Sequence, residues 1–183
     1  MSVEPHVDIA PSGSLWTLVE LPDGSFVDLG THVSNRHGSP PDRVVRINAC
    51  DLRSTCRQTA ALHSEAASCG ETIAVLVDLE VLIHHDRTKV RKWMAGLGGS
   101  RSSCTLRYVG TPAGLAGLIA DIHVLQLADG VALLPLTPLA CDLTLNMALP
   151  QLATLGVDTV AFPAGREHFS DTARGAKREP TRF

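Results

Sequence analysis

Aromatic residues make up only 4% of the 183-residue sequence. That scarcity excludes the base-stacking surface on which single-stranded nucleic acids are usually held. Neither sign of charge dominates: 16 Lys and Arg stand against 19 Asp and Glu, a formal net charge of -3. No bulk attraction to nucleic acid or to an anionic lipid surface follows from that balance. The opening residues, MSVEPHVDIAPSGS, lack the basic start and apolar run of a secretory signal. The most apolar stretch, residues 124–140, is interrupted by Asp129, Gly130, Pro135 and Pro138, so no segment is expected to cross a bilayer. The expected setting is cytoplasmic, with neither membrane nor nucleic acid as partner. Five cysteines, Cys50, Cys56, Cys69, Cys104 and Cys141, show no CxxC pair and no zinc-ligand spacing. An odd count in a reducing compartment predicts free thiols packed as small apolar groups, and no metal. A nucleophile elbow, a Walker loop and a Rossmann glycine fingerprint are also missing.

What is present suits one α/β domain with a core of ordinary size, since 44% of residues are hydrophobic and 19% charged. After a flexible leader over residues 1–14, LWTLV at 15–19 predicts a strand closed by the turn Pro22-Asp23-Gly24. Ser25 then caps an expected short helix carrying Phe26, Leu29 and Val33 on one side. RVVRI at 43–47 is the second strand, and Asp51 caps a helix over 52–68 that ends at Cys69-Gly70. The third strand covers 72–83. Its first half is continuously apolar, as burial on both faces requires; its second half alternates and is expected to extend past the sheet. Asp86 starts a helix through Trp93 and Leu97, and a polar loop follows over 100–105.

Thr111 is placed as an N-cap and Pro112 at the first helical position, where its missing N–H costs nothing. Leu115, Leu118, Ile119 and Ile122 give that helix one apolar stripe. Asp129-Gly130 turns the chain into a last strand over 131–136, and a final helix runs from Leu139 to about Leu155, ending at Gly156. The folded domain is thus expected over 15–157, with 158–183 a disordered polar tail. Strand–helix units in alternation predict parallel pairing with right-handed crossovers. Four such units make either a small open doubly wound sheet or half of an eight-unit barrel, and spacing alone does not choose.

The order VLVDLEVLI, helix, LRYVGTPAGLAGLIADI, ADGVALLPL and a helix ending MALPQLATLG resembles the C-terminal half of the luciferase-like flavin-dependent monooxygenases. The likeness covers roughly residues 42 to 156, RVV at 43–45 included. It implies four parallel βα units forming half of a TIM-type (β/α)8 barrel. In that family reduced FMN or the deazaflavin coenzyme F420 sits at the C-terminal mouth of the barrel, and the protein supplies positioning and dryness. By the resemblance, Asp23, Gly24 and Ser25 are the counterpart of the phosphate-holding Gly/Ser loop, and Arg107 and Tyr108 approach a ligand at the mouth.

Two departures shape the expectation. Nothing upstream of Leu15 supplies the first four strands of such a barrel, and HVLQL at 123–127 replaces the family's glycine helix stop. The expected protein is therefore a truncated homologue, inactive or weakly active alone. Open strand edges near 15–21 and 131–136 would drive it into a homodimer or onto a chain carrying the missing N-terminal half. The alternative is a non-enzymatic oligomerising or binding module with no cofactor.

Other polar groups take plainer readings. His84 and His85 are neighbours on a strand end and point to opposite faces, so a turn with Asp86 as cap is favoured over a metal site. Asp78 and Glu80 lie two apart on one strand face. An acid/base pair is one reading; solvent or an arginine partner is the preferred one. His63 and His123 are expected at the surface or an interface.

Overall fold

The computed structural model describes residues 15–28, 41–96, 104–160 and 169–170. Its centre is a long strand, β4 (Ile73–Ile83), every residue of which is buried. The second half of β4 therefore does not run past the sheet; it is paired on both sides. β6 (Gly130–Pro135) lies along one edge of β4, from Leu76 to Val81. The other edge is shared: β3 (Arg43–Ile47) pairs with residues 73–77 and β5 (Leu106–Gly110) with residues 79–83. All of these pairs are parallel.

The beginning of the chain departs from the expected pattern. β1 (Leu15–Glu20) does not lie beside β3; it pairs in parallel with β6. The expected helix after Ser25 is replaced, over its described part, by β2 (Phe26–Asp28), which returns antiparallel along β1. A three-residue return through an aromatic and a β-branched side chain gives the hairpin more cross-strand contact than one helical turn broken by Gly30 would have. The sheet is consequently mixed, with the order β2-β1-β6-β4-β3, and it curls into a half-barrel. The edges expected to be open are occupied: β6 is interior, and β1 is flanked by β2 and by β7 (Thr159–Val160). Within the expected polar tail, β8 (Phe169–Ser170) pairs with β3.

Helices follow β3, β4, β5 and β6: α1 (Leu52–Cys69), α2 (Arg87–Gly96), α3 (Pro112–Val124), and α4 (Pro138–Leu143). α4 continues through a π turn at Thr144–Ala148 into α5 (Leu149–Thr154). Their starts are set locally. Asp51 accepts from the Ser54 N–H at 2.6 Å and forms a reciprocal capping box with it. Thr111 and Thr137 cap α3 and α4, each followed by a proline at the first turn. Gly70, at φ +72°, closes α1 with an N–H bonded back to Ala66 and Ala67.

Strand alternation divides the side chains between two faces. Leu15, Val19, Val45, Ile47, Val75, Val77, Leu79, Val81, Val131 and Leu133 meet the helices, including Leu115, Ile119 and Ile122 of α3. A fully buried Leu or Ile is worth about 1.5–3 kcal/mol, so this face carries most of the stability. The opposite, inner face holds a second and smaller cluster: Leu18, Ala74, Leu76 and Ala132, with Trp16, Phe26 and Val44 against it. Gly130 starts β6 where a Cβ would strike the backbone carbonyl of Trp16, so β1 approaches β6 closely at this point.

Candidate functional site

The inner face continues past its apolar floor into four charged residues. Asp78 and Glu80 follow Ala74 and Leu76 at period two along β4, and both are buried. Register places each within reach of an arginine from the shared edge. Arg46 pairs with Leu76 on β3, and Arg107 pairs with Glu80 on β5.

The Arg46 guanidinium grips Asp78 in a fork, Nε to Oδ1 at 2.8 Å and Nη2 to Oδ2 at 2.9 Å. Its other contact is the Phe26 ring, 4.6 Å from Cζ to the ring centroid. The hairpin strand β2 therefore packs over the first ion pair. Arg107 reaches Glu80 Oε2 with Nε at 2.7 Å and Nη2 at 2.6 Å. Of the two pairs this is the more open, its arginine side chain being 31% exposed against 14% for Arg46. The face thus offers an apolar floor, one closed ion pair and one that opens to solvent.

The arginine partners are those preferred for Asp78 and Glu80 on sequence grounds. Residues 106–110, in contrast, gave no strand signal. The missed element is visible afterwards in LRYVG, where Leu106 and Tyr108 turn to the helices and Arg107 to the inner face. Tyr108 and Arg107 therefore part company. The tyrosine ring lies between β5 and the start of α3, its hydroxyl donating to the Thr111 carbonyl at 3.4 Å. Burial raises its phenol above the ordinary range.

Asp23, Gly24 and Ser25 form the tip of the β1–β2 hairpin, beyond the C-terminal end of β1. The Gly24 N–H donates to the Leu21 carbonyl at 2.9 Å, and the Leu21 N–H to the Ser25 carbonyl at 2.7 Å. Asp23 Oδ1 accepts from the Ser25 hydroxyl at 2.6 Å and from the Ser25 N–H at 2.9 Å. These bonds lower the Asp23 pKa, the hydroxyl contributing most. The turn's donors are spent internally around a carboxylate, which is the wrong charge to face a phosphate.

The remaining candidates are structural. The Asp86 N–H donates to His84 Nδ1 at 2.9 Å, and Asp86 Oδ1 caps α2 through the Thr88 N–H at 2.7 Å. That bond from the Thr88 backbone is the main reason the Asp86 pKa lies below its ordinary value. Among the described residues no group of three or more His, Cys, Asp or Glu converges as a metal would require. His63 Nε2 meets Asp129 Oδ2 at 2.8 Å. His123, expected at the surface or an interface, is buried in α3. The cysteines also differ from expectation: only Cys141 is buried, while Cys50, Cys56, Cys69 and Cys104 are exposed. Among the described residues no helix is long and apolar enough to cross a membrane.

An α/β half-barrel with helices on its outer face is the class this geometry defines. Solved structures of similar fold include two monooxygenases. EDTA monooxygenase (EmoA) from Chelativorans sp. BNC1 matches with a TM-score of 0.53 at 17% identity, over 63% of this chain and 40% of that one. Long-chain alkane monooxygenase (LadA) matches with a TM-score of 0.50 at 13% identity, over 69% of this chain and 39% of that one. Both neighbours are monooxygenases, and the chain spans about two-fifths of the length of each. At these identities the likeness is one of fold. No family model matches the chain, and no curated protein matches it in sequence.

Proposed function

We propose that the chain is a luciferase-like monooxygenase homologue carrying one half of a barrel, with little or no redox activity as a single copy. The observation that carries this reading is the curled sheet itself, shared with part of two monooxygenases at TM-scores of 0.53 and 0.50. Among the described residues, those expected to hold the cofactor do not by themselves fit a flavin. The hairpin tip spends its donors on the Asp23 carboxylate, and both inner-face arginines are engaged by carboxylates. FMN or coenzyme F420 would therefore need a mouth completed by other strands. A second copy, or a chain bearing the complementary half, would supply them along the outer edge of β5, which has no strand beside it among the described residues.

The test couples two measurements on the purified protein. Light scattering over a wide concentration range is expected to show a dimer or larger assembly. FMN and F420, oxidised and reduced, are expected to bind only under conditions where the assembly persists. A monomer that binds either cofactor tightly in a one-to-one ratio would defeat the half-site reading.

One observation favours a second reading, a binding module with no cofactor. The inner-face charges neutralise one another in pairs, as they would in a structural interior. A stable assembly that shows no absorbance or fluorescence change with either cofactor at high micromolar concentration would select it.

A further inference from the structure

The turn between β4 and α2 is held by one imidazole. The His84 backbone N–H continues the β4–β5 ladder, donating to the Gly110 carbonyl at 3.1 Å. The ring turns to the helix instead. Its Nδ1 accepts from the Asp86 N–H at 2.9 Å, and it stands edge-on to Trp93, centroids 5.5 Å apart. A nitrogen that accepts from a backbone N–H carries no proton, so this contact exists only while the ring is neutral. α2 has little else to hold it. Among its described side chains Val90 alone is buried, whereas α3 buries six.

We propose that His84 is a proton-operated latch: neutral, it fastens the first turn of α2 against β5, and protonated, it releases that turn. α2 lies against β5, whose far edge has no strand beside it among the described residues. Release therefore loosens the helix that covers one face of this edge strand.

Charge acts in the same direction as the lost bond. Among the described residues, the titratable and charged groups on the neighbouring elements are His85 and Asp86 in the turn, Arg87, Lys89, Arg91 and Lys92 on α2, and Arg107 and Tyr108 on β5. Arg107 is bound to Glu80, and the Tyr108 hydroxyl is given to the Thr111 carbonyl. The four α2 cations are exposed, and α2 has no acid in its first turn. The His85 ring lies 6.1 Å from that of His84, centroid to centroid. An imidazolium here joins a cationic cluster at the positive end of a helix dipole, where cations are disfavoured.

Asp86 is the one anion of the turn. Its Oδ1 already caps α2 through the Thr88 N–H at 2.7 Å. If the carboxylate turns to a charged His84, Thr88 loses its cap; if it stays, the Asp86 N–H faces a protonated nitrogen. Either way the first turn gives up a hydrogen bond. The closed state binds one proton fewer than the open state, so opening grows as the pH falls.

Hydrogen–deuterium exchange of the full chain, corrected for the intrinsic pH dependence of exchange, tests the latch between about pH 8 and pH 5. Protection over residues 87–93 is expected to fall about tenfold more than over α1 and β4, the factor carried by one hydrogen bond. His84→Asn, whose side-chain oxygen accepts from the Asp86 N–H but takes up no proton, should remove that extra fall. His85→Asn should keep it. An equal fall over α2, α1 and β4 in wild type, a full response in His84→Asn, or a response lost in His85→Asn would each overturn the latch. Should His84→Asn not fold, NMR titration of the His84 ring decides in the wild type: its midpoint must coincide with that of α2 release, and separate midpoints overturn the proposal.

Discussion

Arg46 and Asp78, on adjacent strands and 32 positions apart in sequence, meet through two parallel hydrogen bonds while the guanidinium lies against the Phe26 ring. The pair joins three strands: β2 through the ring, β3 through the arginine and β4 through the carboxylate. An arginine suits this place better than a lysine, because its planar fork meets both carboxylate oxygens and its face lies on an aromatic.

Breaking this pair on one side leaves a buried charge without its partner. Asp78→Ala is expected to cost about 3–5 kcal/mol, the range for a buried pair deprived of one member. Replacing both partners by apolar residues, Arg46→Met with Asp78→Leu, should recover most of that loss. Urea denaturation of the single and double variants gives the comparison. Equal destabilisation by both would show that the pair itself, and not the orphaned charge, carries the effect.

Two glycines should respond oppositely to alanine. Gly130 faces the Trp16 carbonyl so closely that a Cβ cannot fit without shifting β1 from β6, and overpacking of this kind costs about 1–3 kcal/mol. Gly117 lies within α3 with nothing near its Cβ position. There alanine should stabilise by about 0.5–1 kcal/mol, since it removes glycine's excess unfolded-state freedom. Thermal melts of the two variants, read against wild type, should move in opposite directions.

Much of the architecture is legible in local sequence because its causes are local. The caps at Asp51, Thr111 and Asp86, the glycine close at Gly70 and the apolar run of β4 all depend on neighbouring residues. The misreadings have non-local causes. β1 pairs with β6, more than a hundred positions away, and no periodicity encodes which strand a strand will choose. Phe26 read as helical because a three-residue strand is shorter than either period needs to show itself. Arg107 and Tyr108 are placed at the mouth by their position before the GTP turn, and without their strand the alternation that sends them to opposite faces is not legible. The arginine partners of Asp78 and Glu80 were anticipated in kind, but which arginines they are depends on the β3 and β5 registers.

His123 should make stability fall as the pH drops. Burial lowers its folded-state pKa below 6.5, with Asp158 opposing the shift by attraction. Above pH 6.5 both folded and unfolded chains hold the ring neutral, and it contributes no pH dependence. As the pH falls through 6.5 the unfolded chain takes up a proton that the folded chain resists, so unfolding gains until the folded ring also titrates. The difference in stability between wild type and His123→Gln, followed from pH 8 to pH 5, should shrink on acidification. Asp158→Asn should steepen the wild-type fall, because it removes the attraction that favours the charged ring.

Asp129 carries more weight than its histidine partner. Its Oδ2 accepts from the Val75 N–H at 2.7 Å as well as meeting His63 at 2.8 Å, while its own N–H donates to the Val75 carbonyl at 2.9 Å. This acid in the ADG sequence therefore fastens the start of β6 to β4. The His63 side chain is 41% exposed, so His63→Ala should cost less than about 1 kcal/mol, the usual scale for a surface ion pair. Asp129→Ala strands the N–H of fully buried Val75, a loss of about 1–3 kcal/mol. Asp129→Asn keeps an acceptor for that N–H and should lie close to His63→Ala. Urea midpoints ranked in that order would assign the acid's role to the backbone bond. An Asp129→Asn variant as unstable as Asp129→Ala would assign it to the charge.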